Sequence, residues 1–209
     1  MNSSQAERLQ WLALTVVGLF AGLALALPLG FPIFAVLGAM AGTPVVLGIL
    51  GLSLGAAQWP IVRRHMSSAW LWVLLSAVGM GLGLTLGVTL VEQIGRAVRG
   101  GPINFRMLGI AARAISFGTI GAIGGGSLGF AQWFALRRHV PNCARWIRVN
   151  AWSLGSGLAC GSLLADSLVL KAGSLTSNVI LLAVSSSIAG AFTAKAMSQI
   201  FGLSAPPSK

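Results

Sequence analysis

The chain has 209 residues, 56% of them hydrophobic and only 8% charged. Soluble domains carry roughly a quarter charged residues, so this chain cannot cover a water-facing surface, and lipid must be its solvent. Fourteen Lys and Arg against three acids give a formal net charge of +11. The basic residues lie between apolar runs, where membrane topology accounts for them and nucleic-acid binding does not.

Six apolar stretches follow one another, each able to supply the about 20 helical residues that cross a bilayer. The first covers residues 11–27 and ends at Pro28. The second starts at Pro32 or near Thr43, with Pro44 as a kink, and ends before Arg63. The third covers 69–91. The fourth starts between Met107 and Ala114 and ends near Leu136. The fifth covers 146–170 and the sixth 178–200. Backbone groups left unpaired in lipid are costly, and the stretches lack the alternating polarity of a barrel, so helices are predicted. The expected fold is an all-α integral membrane protein, one transmembrane domain over residues 1–209.

Orientation follows from the positive charges. With the amino terminus inside, Arg8, Arg63, Arg64, Arg137, Arg138, Arg145, Arg148, Lys195 and Lys209 are cytoplasmic, and Arg96, Arg99, Arg106 and Lys171 are outside. That bias predicts both termini in the cytoplasm of a bacterial plasma membrane. Trp11, Trp59, Trp70, Trp72, Trp133 and Trp146 map to the same inner face, as interfacial anchors would.

Two segments 74 positions apart are near copies. Ser53-Leu54-Gly55-Ala56-Ala57-Gln58-Trp59 returns as Ser127-Leu128-Gly129-Phe130-Ala131-Gln132-Trp133. Arg63-Arg64-His65 falls on Arg137-Arg138-His139, Trp72 on Trp146, and Glu92 on Asp166. Residues 43–92 thus match 117–166, which predicts a helical hairpin repeated in parallel. Glycine recurs every fourth residue, at Gly55 and Gly51, at Gly83 and Gly87, at Gly125 and Gly129, and at Gly157 and Gly161. Small residues at that spacing let helix backbones approach closely.

Charged side chains inside a membrane call for a partner. Glu92, near the outer end of its helix, has Arg96 one turn on. Asp166 has no basic neighbour at helical spacing, and Arg113 lies at a similar depth across the hairpin, so the two are expected to form a buried pair. The segments Arg63, Arg64, His65 and Arg137, Arg138, His139 stop their helices at the inner interface. The sharper reading makes them a binding place for anionic lipid head groups. Gln58 and Gln132 are suited to bridging helices by hydrogen bonds. The histidines have no thiolate or carboxylate companions at ligand spacing, so no metal or other cofactor is implied. Cys143 and Cys160 are too far apart along a helix to join. No nucleophile and base can be assembled at one depth, so no catalytic residue is expected.

The tandem Gly-x-x-Gln-Trp pattern with an arginine-rich end, carried by Gly55 to Trp59 with Arg63 and by Gly129 to Trp133 with Arg137, resembles a group of multi-pass membrane proteins common in cyanobacteria. The resemblance covers about two-thirds of the chain. It implies a photosynthetic-bacterial setting, with a thylakoid location beside the plasma membrane, and no activity or catalytic residue. The expected function is non-enzymatic: a structural or accessory role through lipids, other membrane subunits or self-association. The alternative is a small-solute or ion transporter or channel that uses Glu92, Asp166 and Arg113.

Overall fold

In a computed structural model the chain is all-helical. It describes residues 3–105, 108–140, 143–169 and 174–201, with backbone alone at 3–4, 99, 166–169 and 174–178. The elements are α1 (Ser3–Val62), α2 (Ala69–Arg99), α3 (Ile110–Leu136), α4 (Arg145–Val169) and α5 (Ser174–Ile200). Among the described residues four candidate spans, Gln5–Val62, Ala69–Val98, Ile110–Leu136 and Val179–Ile200, are long and apolar enough to cross a membrane. α4 is more polar, with Arg145, Arg148 and Asn150 in its first turns.

α1 is two arms joined at Gly38, whose φ of 69° and ψ of 172° break the helix. Those angles belong to a region that side chains with a Cβ avoid, so glycine is what makes the reversal feasible. The arms run back along each other. A Cβ on Gly18 would fall 2.8 Å from that of Ala57, and one on Gly22 would fall 2.9 Å from Leu50 Cα. This corrects two sequence expectations. The helix passes through Pro28 and Pro32 rather than ending there, and the break is at Gly38, not at Pro44. Helical proline needs its freed carbonyl satisfied only locally, whereas a reversal needs a residue free to take positive φ.

Successive elements pack side by side, and α5 returns to close on α1. The contacts run through glycine. Gly55 faces Val73 Cα and Gly129 faces Ile147 Cα, at 2.8 and 2.9 Å from where a Cβ would stand. Gly79 faces Leu128 Cα at 2.8 Å, Gly87 faces Ile120 Cα at 3.0 Å, and Gly157 faces Ser185 Cα at 3.0 Å. Gly83 meets Ser127, and Gly161 meets Leu181. Dispersion and short backbone approach therefore contribute to holding the bundle together, the kind of contact that small residues at this spacing allow.

Candidate functional site: a hydrogen-bonded core at one end of the bundle

Trp11, Trp72 and Trp146 stand near the starts of α1, α2 and α4 and are at most 2% exposed. Their rings meet at 5.7–6.1 Å between centroids, two of the three contacts edge to face. The sequence pointed to these three as interfacial anchors; the structure instead buries them among the helices. An indole can go inside when its N–H finds an acceptor, and each of these does. Trp59, Trp70 and Trp152, by contrast, are exposed, Trp152 by 77%.

The acceptors define the site. Trp72 Nε1 donates to Gln58 Oε1 at 3.1 Å, and Gln58 Nε2 donates to Thr15 Oγ1 at 3.0 Å. Trp146 Nε1 donates to Gln132 Oε1 at 2.8 Å, and Gln132 Nε2 donates to Ser76 Oγ at 2.8 Å. Each glutamine therefore joins three helical segments. Trp11 Nε1 donates to Thr193 Oγ1 at 3.0 Å. Thr193 hands its own proton to the Ala189 carbonyl at 2.6 Å instead of crossing to another helix.

A common spacing underlies these bonds. Thr15, Ser76 and Asn150 each stand four residues after one of the three tryptophans. Gly55, Gly129 and Gly190 each stand three residues before an acceptor, and they face Val73, Ile147 and Leu12, each the residue after a tryptophan. The corner at Thr193 thus repeats the layout of the corners at Gln58 and Gln132, using the two ends of the chain. Beyond the tryptophans lies a cavity of about 20 Å³, lined by Thr15, Gln58, Gln132, Asn150, Ser153 and Thr193 among others. That is room for about one water molecule. Leu19, Leu54, Met80, Leu128 and Leu154 then pack across the bundle.

The other sequence candidates are scattered. Glu92 pairs with Arg96 at 3.9 Å on a half-exposed surface. Arg113 is half-buried rather than enclosed, and its Nη2 donates to the Leu108 carbonyl at 3.3 Å. The side chain of Asp166 lies outside the described residues, so the expected Arg113–Asp166 pair does too. The arginine-rich segments are exposed. Arg63 lies 4.7 Å over the Trp59 ring, and Arg137 lies 5.1 Å over Trp133 and 4.6 Å over Phe134. Arg64 and Arg138 face outward. His65 stacks on Phe201 at 4.4 Å, and exposed His139 sits 3.1 Å from the Ala135 carbonyl. Both cysteines are free, and burial pushes the Cys143 thiol up from its usual range, which keeps it a protonated, poor nucleophile. Among the described residues no group of three or more His, Cys, Asp or Glu is placed to hold a metal ion.

The tryptophan triad and the Thr193 corner escaped sequence reasoning. A signal existed: Trp11, Thr15, Gly18 and Gly22 share the spacing of Trp72, Ser76, Gly79 and Gly83. No protein-family model, curated protein or solved structure matches the chain.

Proposed function

We propose that the protein is a non-enzymatic, polytopic membrane protein with a structural or accessory role, carried out through its outer surface toward lipids and partner subunits or further copies of itself. In this reading the chain crosses the membrane six times, the two arms of α1 counting as separate crossings. The hairpin of residues 43–92 is duplicated in 117–166, and α5 with the first arm of α1 makes a third, divergent pair. Both termini and the arginine-rich segments face the cytoplasm of a bacterial cell, with the chain in the plasma membrane or, as the resemblance to cyanobacterial proteins implies, in a thylakoid membrane. The arginine-rich ends sit where anionic head groups lie.

The closed centre carries the reading. A solute pathway along the bundle needs polar groups that are free to exchange partners. Here Gln58 and Gln132 are each engaged on both sides of their amides. The space beside them is about 20 Å³, and leucines pack above it. The rival transport reading would use Glu92, Asp166 and Arg113. Glu92 pairs with Arg96 at the surface and Arg113 donates to the Leu108 carbonyl of its own chain segment, while the side chain of Asp166 lies outside the described residues. The test is recovery of the tagged protein in mild detergent. A defined set of lipids and either a second copy or a constant partner subunit should be recovered with it. Recovery as a lone chain, stripped of lipid and still folded, would overturn it.

A further inference from the structure

We infer that the outward crevice between the second arm of α1 and the first half of α2 binds one anionic phospholipid, with an acyl chain in the crevice and the phosphate on Arg63. This rests on the membrane reading above. Two hollows follow one another along this helix pair. One, of about 450 Å³, lies between Pro44, Gly48 and Leu52 on one side and Ala77 and Gly81 on the other. The next, of about 430 Å³, lies between Ala56 and Trp59 and, opposite them, Trp70 and Val73. Gly48 and Gly81 let the helices touch at the floor, where a Cβ on Gly81 would stand 3.2 Å from Gly48 Cα. From residue 44 to residue 59 the crevice is about 22 Å long at 1.5 Å per residue. Half of a hydrocarbon core about 30 Å thick is shorter than that, so one leaflet's tail fits in full.

The mouth of the crevice carries the charge. Arg63 lies over Trp59, which forms the wall, and it makes no ion pair among the described residues. Arg64 is exposed beside it. A phosphate at this level would meet one guanidinium held in place by an indole face and a second arginine next to it.

The matching crevice between α3 and α4 shows why the site belongs to one copy. Where the first copy has Ala56 and Pro60, the second has Phe130 and Phe134. Phe130 stacks on Trp133 at 5.9 Å, and Phe134 meets Trp133 edge-on at 5.2 Å. Aromatic side chains thus occupy beside Trp133 the space that Ala56 leaves open beside Trp59. Arg137 is drawn over Trp133 and Phe134 together, whereas Arg63 covers Trp59 alone.

Native mass spectrometry of the full chain in mild detergent, titrated with phosphatidylglycerol or phosphatidylcholine, tests this. The expected result is one retained phosphatidylglycerol and weaker phosphatidylcholine binding. Ala56→Phe should lower occupancy about tenfold, and Arg63→Gln should abolish the preference for the anionic lipid, while Arg137→Gln leaves it intact. Ala56 faces outward, so an unchanged melting temperature will show that Ala56→Phe still folds. Undiminished binding in Ala56→Phe, equal binding of both lipids by the natural chain, or equal losses in Arg63→Gln and Arg137→Gln would each overturn the inference. Membrane fractionation of the same protein separates the two claims. A soluble protein would sink the membrane reading, while a membrane-embedded one that fails the lipid test sinks only this site.

Discussion

The corners at Gln58 and Gln132 and the corner at Thr193 share one layout but not one set of side chains. At the first two, a long amide accepts from a tryptophan and donates onward to a hydroxyl on another segment. At the third, threonine accepts from Trp11 but is too short to reach across, and its proton goes back to its own helix. Asn150, in the place of Thr15 and Ser76, then donates only to the carbonyl of Trp146. The helix positions are therefore set by glycine contact and by the tryptophan triad, both common to all three corners. Side-chain reach decides only whether a corner is also tied across. The small cavity, which both Thr193 and Asn150 line, lies where the missing amide would reach.

The largest effects should come from the shared element. Gly55→Leu and Gly129→Leu would drive a side chain into the backbone of the facing helix, since Val73 Cα and Ile147 Cα cannot yield. Each should reduce stability by more than about 3 kcal/mol, seen as lost folded yield in detergent. Gly190→Leu meets first the flexible Cδ1 of Leu12, at 2.6 Å, with its Cα at 3.4 Å. It should therefore be milder, and equal loss at all three corners would contradict the difference.

Next come the ties themselves. Gln132→Leu leaves the buried N–H of Trp146 without its acceptor and removes a donor from Ser76, a loss of about 2 kcal/mol. Gln58→Leu should match it. Thr193→Val strands only the Trp11 N–H and should cost about 1 kcal/mol. Thermal melts in one detergent will rank the three variants, and a Thr193→Val loss as large as that of Gln132→Leu would show the corners to be equally tied.

A smaller change in the opposite direction sharpens the comparison most. Thr193→Gln gives the third corner the residue of the other two and fills the cavity beside Asn150. It should raise stability by about 1 kcal/mol. Destabilisation equal to that of Thr193→Val would mean that the third corner is not equivalent.

Much of this was legible in the sequence, for reasons that particular residues show. Apolar length marked the helices, and the 74-residue offset singled out Gln58 with Gln132 as bridging groups. Glycine spacing pointed to positions such as Gly83 and Gly157, which lie against Ser127 and Ser185. Three things were hidden. Prolines drew attention from Gly38, because proline marks a helix break in sequence while a positive φ does not. Trp11, Trp72 and Trp146 looked like anchors because their burial depends on acceptors from other helices. The third corner joins residues 182 positions apart, with its helix pair split between the two chain ends, so a comparison at one fixed offset passes over it.

The proposed function requires a bundle that is closed along its axis and acts through its outer face. Flux measurements on purified protein in phosphatidylglycerol-containing liposomes test it most directly. Proton, monovalent-ion and small-solute permeation should be indistinguishable from that of empty liposomes, for the natural chain and for Glu92→Gln alike. Protein-dependent flux that falls when Glu92, Arg113 or Gln132 is replaced would contradict it and favour a transport pathway.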